Sequence, residues 1–102
     1  MKIMLVCAAG MSTTLLKGKM LKLVEEGDIV DAFQEDSLSE VIDNYDCVLV
    51  GPQLRYKYKY MEAIAKEHHK PIALIDMIVY GTIDGKMALQ QANDLVRGGK
   101  EK

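Results

Sequence analysis

What this chain lacks narrows its function before any motif is considered. No apolar run approaches the roughly 20 residues needed to cross a bilayer, so no transmembrane helix is expected. The opening MKIMLVCAAG is followed at once by polar, helix-forming sequence and lacks a complete signal peptide, which predicts a soluble cytoplasmic protein. Basic charge is not in excess. Thirteen Lys and Arg against 15 Asp and Glu give a net charge of −2, which argues against a nucleic-acid-binding surface of the usual strongly basic kind. The two histidines, His68 and His69, are adjacent and have no nearby cysteine or spaced histidine, so they lack metal-ligand spacing. Near a helix end before Pro71 they more simply complement the helix dipole, and neither a metal nor another cofactor is expected.

There is also no room for a second domain. The 102 residues, 49% of them hydrophobic, suffice for a single core and are read as one domain, 1–102. Internal repeats and linkers are absent, and Gly98-Gly99-Lys100-Glu101-Lys102 reads as a frayed, disordered tail.

What is present is alternation. Residues 2–6, 29–33, 46–50 and 71–75 are short apolar runs of the kind that form strands buried on both faces of a sheet. Between them lie helical patterns: Leu16, Met20, Leu23 and Val24 on one face; a Ser-capped segment over 37–42; residues 56–68 with Tyr60 and Ile64 on one face; and residues 83–97 carrying Met87, Leu89, Ala92 and Val96. The expected architecture is α/β, an open four-stranded parallel sheet with helices on both faces. In such sheets ligands bind beyond the carboxyl ends of the strands, at a topological switch point. Cys7, Gly51-Pro52-Gln53 and Asp76 all follow strand ends and are expected at one rim.

Of the two cysteines, Cys7 ends its strand and Cys47 begins another. At about 3.3 Å per residue these positions differ by most of a strand length, beyond the roughly 7 Å Cα limit for a disulfide. Cys47 reads as a small core residue. Cys7 reads differently, because Ala8, Ala9, Gly10, Met11, Ser12 and Thr13 form a small-residue loop entering a helix. Backbone N–H groups of such a loop, with the partial positive charge of a helix N-terminus, hold an anion and favour thiolate over thiol. Cys7 is therefore a candidate nucleophile in a phosphate cradle, with Ser12 or Thr13 placed to cap the helix or donate a hydroxyl. The alternative is a structural cysteine with Gly10 serving as a turn.

The run Arg55-Tyr56-Lys57-Tyr58-Lys59-Tyr60 interleaves cations and aromatics, as single-strand nucleic-acid binders do. On a helix Tyr56 and Tyr60 share a face and Tyr58 does not, so the rings cannot form one platform. A solvated face, or a basic docking rim near Cys7, fits better. Gln53, Arg55, Asp76 and Tyr80 are assigned to the rim of the site.

Taken together, Cys7-Ala8-Ala9-Gly10-Met11-Ser12-Thr13, Gly51-Pro52-Gln53, Tyr80-Gly81 and Asp84-Gly85 closely resemble the enzyme IIB components of bacterial phosphotransferase systems, lactose/cellobiose type, over nearly the whole chain. The resemblance implies a fold similar to low-molecular-weight tyrosine phosphatases. It implies that Cys7 accepts a phosphoryl group from a phosphohistidine of a IIA partner and passes it to a sugar, such as cellobiose, lactose or chitobiose, held by a membrane-embedded IIC partner. A monomer is the expected state. The fold similarity also raises an alternative, a phosphatase or arsenate-reductase-like cysteine enzyme. Those phosphatases carry an arginine six positions after the cysteine, where this chain has Thr13. Without a guanidinium the loop offers backbone donors and hydroxyls only.

Overall fold

The structure, a computed structural model, describes residues 1–8, 11–24 and 27–101, the side chains of residues 11, 12 and 99–101 excepted. Four strands, β1 (Lys2–Val6), β2 (Ile29–Phe33), β3 (Cys47–Val50) and β4 (Ile72–Leu74), form one parallel sheet in the order β2-β1-β3-β4. Parallel neighbours need crossovers, and helices supply them: α1 (Met11–Leu21), α2 (Leu38–Val41) and α3 (Tyr58–Glu67), followed after β4 by α4 (Met77–Gly81) and α5 (Gly85–Glu101). Both faces of the central strands are covered, which is why β1 and β3 read as unbroken apolar runs. Ile3, Leu5, Cys47 and Leu49 pack with Leu16 and Met20 of α1, Tyr80 of α4 and Ala88 and Ala92 of α5. Met4, Val6, Val48 and Val50 pack on the other face with Leu38, Ile42, Leu54, Met61 and Ala65. The chain steps from β1 to β2 in one direction and then crosses β1 to β3, so the switch point lies between the ends of β1 and β3.

Turn chemistry fixes the helix ends. Asp84 accepts a hydrogen bond from Met87 N–H (3.1 Å) at the start of α5. Gly85 then lets α5 press on α1, since a Cβ there would lie 2.7 Å from Lys19 Cβ and 2.8–2.9 Å from the backbone of Lys19 and Met20. α3 ends in a Schellman turn with His69 left-handed (φ 58) and Lys70 N–H bonded to Ala65 C=O (2.8 Å). Ile83 (φ 54) ends α4 in the same way. His68, beside that α3 terminus, pairs with Asp43 (3.0 Å). At the β4 edge the outward carbonyls of Ile72 and Leu74 accept from Tyr58 Oη (3.1 Å) and Gln91 Nε2 (2.9 Å), which occupies acceptors that an added strand would use.

Several expectations need correction. Leu23 is 52% exposed because α1 stops at Leu21, before the next turn could return it to the core. The segment after β3 begins as a 3-10 turn (Pro52–Lys57) with a kink at Leu54. α3 therefore buries Met61 and Ala65 and leaves Tyr60 67% exposed. The segment expected over 37–42 is a short α-turn flanked by 3-10 turns, Glu35–Ser37 and Ile42–Asn44. Met87 is half exposed, while Ala88 and Ala92 face the sheet. Residues 98–101, expected as a frayed part of the 98–102 tail, continue α5. The packed turns upstream have already nucleated that helix, so extension across Gly98 and Gly99 costs only about 1 kcal/mol per glycine. Lys102 lies outside the described residues.

Two measurements follow. Gly18 has open space around its Cβ position, so Gly18→Ala stabilises by about 0.5–1 kcal/mol through helix propensity. Gly85→Ala destabilises by about 1–3 kcal/mol because backbone must move, and denaturant midpoints read both signs. Burial, with the Asp46 charge adding to it, pushes the Cys47 thiol up from 9.0 to about 12. Burial and the Asp31 hydrogen bond push the Tyr45 hydroxyl up from 10.0 to about 12. Both protons are held more tightly in the folded state, so these contributions are intact below about pH 9 and are lost as pH rises toward 12. Stability measured across that window falls, and the fall is shallower in Cys47→Ala and Tyr45→Phe.

Candidate active site at the switch point

Cys7 stands one residue beyond β1, where its N–H donates to Phe33 C=O of β2 (3.1 Å). On the other side, Gly51 N–H donates to Val6 C=O (2.7 Å). The cysteine backbone is thus fixed between the two neighbouring strands, and 6% of its surface is exposed. Ala8 follows as an exposed bend and α1 begins at Met11. Ala9 and Gly10 of the expected cradle lie outside the described residues, as do the side chains of Met11 and Ser12.

Gly51 gathers the site. A Cβ at this position would lie 2.7 Å from Gln53 Oε1, 3.2 Å from Cys7 Cβ and 3.6 Å from Tyr80 Cε1. Three side chains from the ends of β1, β3 and α4 therefore converge on one α-carbon. The glycine backbone is extended there (φ −63, ψ 142), so what a side chain would meet is crowding against Cys7 and Gln53, and not a left-handed conformation.

Thr13 is the third residue of α1, so it does not cap the helix as expected. It is buried and its hydroxyl lies 2.7 Å from the Tyr80 hydroxyl. No guanidinium stands at the position a phosphatase of this fold gives to arginine. Asp76 caps α4 by accepting from Ile78 N–H (2.8 Å). Arg55 is exposed, with Nη1 4.0 Å from Met77 Sδ. Among the expected rim residues, Gln53 and Tyr80 thus meet Cys7 around Gly51, whereas Asp76 and Arg55 engage the start of α4. The tyrosines of the aromatic run part company: Tyr58 turns inward to Ile72 C=O, and Tyr56 and Tyr60 stay exposed.

Sequence reasoning placed Gly51 at the rim among the residues that follow strand ends and missed its clearance role; its place directly after an apolar strand and before proline was the available signal. The Thr13–Tyr80 pair joins residues 67 apart and has no local signal.

Residues 2–91 match the family described as PTS system, Lactose/Cellobiose specific IIB subunit. The oligo-beta-mannoside-specific EIIB component of Bacillus subtilis is 37% identical over 99 residues, covering 93% of this chain and 95% of that protein. The cellobiose-specific EIIB component of Lactococcus lactis subsp. lactis is 33% identical, covering 92% and 94%. The solution structure of a cellobiose-specific IIB component from Borrelia burgdorferi superposes with a TM-score of 0.82 at 39% identity, covering 97% of this chain and 94% of that one. A lactose-specific IIB domain from Streptococcus pneumoniae, 20% identical and covering 93% and 96%, shares the fold with a TM-score of 0.80. This is the arrangement that IIB domains have in common with low-molecular-weight tyrosine phosphatases. IIB components are sugar phosphotransferases working with IIA and IIC partners. With the match spanning strands, switch point and last helix, the chain belongs to the lactose/cellobiose-specific IIB subunits of the phosphotransferase system.

Proposed function

We propose that Cys7 is the phosphoryl carrier of this IIB subunit. The observation that carries this reading is the placement of Cys7 at the switch point, directly before the loop that enters α1, while Cys47 is fully buried in β3 beside Ile3. The Cys7 sulfur attacks the phosphorus of a IIA phosphohistidine; the S–P bond forms as the N–P bond breaks, and the histidine nitrogen keeps the electron pair. In the second step a sugar hydroxyl held by the membrane IIC partner attacks the same phosphorus. The S–P bond then breaks, Cys7 leaves as thiolate, and the hydroxyl proton passes to a base of that partner.

The residues 8–13 cradle the phosphoryl oxygens through backbone N–H groups at the start of α1, and Gln53 and Tyr80 bound the site beside them. Thr13 in place of arginine leaves the loop without a bidentate cation for the oxygens, which suits a carrier that must keep its phosphocysteine until the acceptor arrives. Relatives named for oligo-beta-mannoside and cellobiose support β-linked oligosaccharides and related glycosides as the sugar class, with selection resting on the membrane partner. Among the described residues no helix is long and apolar enough to cross a membrane. The subunit acts in the cytoplasm as a monomer, and the capped β4 carbonyls support that state by obstructing edge-to-edge pairing.

Incubation with the general phosphotransferase proteins and a cognate IIA, followed by intact-mass analysis, adds one phosphoryl group to the wild type and to Cys47→Ala. Cys7→Ser gains none; a phosphoryl group found on His68 or His69 would overturn the assignment. Purified protein does not sustain aryl phosphate hydrolysis. Gly51→Ala, whose new methyl meets Gln53 Oε1 and Cys7 Cβ, folds but accepts phosphoryl groups at least about tenfold more slowly in the same assay, since 1.4 kcal/mol of displacement suffices for that factor.

A further inference from the structure

Tyr80 makes two contacts that a purely packing residue would not need together. Its ring edge and Cys7 Cβ flank the same α-carbon, at 3.6 and 3.2 Å from the place where a Gly51 Cβ would stand. Its hydroxyl, in a residue only 7% exposed, lies 2.7 Å from that of Thr13, 3% exposed. A phenylalanine would fill the same volume, but a buried hydroxyl is retained without cost only where it has a partner. That partner belongs to the first turn of α1, where the backbone N–H groups have no acceptor within the helix.

The carrier of this bond is itself well anchored. Tyr80 N–H donates to Asp76 C=O (2.9 Å), Asp76 caps the start of α4, and a left-handed Ile83 closes its end. The tyrosine is thus fixed from its own backbone and reaches across to α1.

On the reading that Cys7 accepts the phosphoryl group, we propose that Tyr80 is a positioning residue for that step and acts through Thr13. The ring holds Gly51 against Cys7, and the hydroxyl pair fixes the first turn of α1 so that its amides face the incoming phosphoryl oxygens while the N–P bond breaks and the S–P bond forms. Because both hydroxyls are interior, losing them alters the transfer rate and not the docking of the donor.

The test is single-turnover transfer from phosphorylated IIA, measured against donor concentration. Tyr80→Phe and Thr13→Val each lower the limiting rate by roughly 2- to 12-fold, the worth of one net hydrogen bond, at unchanged half-saturating donor concentration. The double variant is no slower than the slower single variant, since each substitution already breaks the one shared bond. Thr13→Ser, which keeps a hydroxyl, recovers most of the rate lost in Thr13→Val. If Thr13→Val does not fold, Tyr80→Phe and Thr13→Ser decide the matter. Wild-type rates in Tyr80→Phe, multiplicative losses in the double variant, or an effect confined to half-saturation overturn the proposal while Cys7 remains the acceptor. A wild-type protein that gains no phosphoryl group on Cys7 removes that reading itself, and the positioning role with it.

Discussion

Everything at the site depends on two backbone hydrogen bonds at the ends of parallel strands. Cys7 N–H reaches Phe33 C=O on one side, and Val6 C=O receives Gly51 N–H on the other. These bonds prolong the β1–β2 and β1–β3 ladders by one step, past the last residue of β1. A cysteine on a free loop would have to be ordered afresh whenever a partner approached, at a backbone entropy cost of about 1–2 kcal/mol per residue. Here the sheet, with both faces packed, has already ordered it. Clearance completes the arrangement, because a side chain at position 51 would crowd Cys7 Cβ and Gln53 Oε1.

The two cysteines show how far position decides chemistry. Cys47 lies in register with Ile3 at the start of β3, fully buried, and burial together with Asp46 holds its proton up to about 12. It behaves as a small apolar side chain, inert as a nucleophile at neutral pH. Cys7 has the same side chain at the other end of the sheet, where the strands open onto the N-terminus of α1. Four residues of parallel strand separate the two levels, so neither a disulfide nor a shared role is open to them, and both are free.

How much of this was legible in the sequence follows from which forces are local. The apolar runs of β1 and β3 and the small-residue stretch after Cys7 announce a buried parallel sheet and a strand-loop-helix corner, because periodicity and side-chain size act over a few residues. The sheet order, the kink at Leu54 and the burial of Met61 in place of Tyr60 were not legible. Pro52 starts a 3-10 turn whose phase differs from that of the helix it enters, and only packing against Leu38 and Ile42 selects the buried face. Asp84-Gly85 was visible as a mark without a reason; the reason is a cap followed by contact with Lys19 and Met20, more than 60 positions away in sequence. Asp76 was placed at the rim from its position after a strand end, and Arg55 from a basic run just beyond another. That argument fixes the level of a residue in the sheet but not its direction, and both turn to the start of α4.

A phosphatase and a carrier built on one sheet differ in what must happen after the S–P bond has formed. A phosphatase has to deliver water to the phosphocysteine and stabilise the charge that develops, for which a bidentate guanidinium is suited. A carrier has to avoid both until a second protein presents its own acceptor. The residue at position 13 bears on that choice. An arginine would extend toward the oxygens from within the helix turn, whereas Thr13 is short, buried and joined to Tyr80. The hydroxyl pair therefore joins α1 to α4 and places no cation at that position. Tyr80 in turn comes from α4, whose first residues, Met77 and Ile78, are exposed beside Arg55. The Thr13–Tyr80 bond thus ties the first turn of α1 to one short, capped helix whose opening residues are exposed.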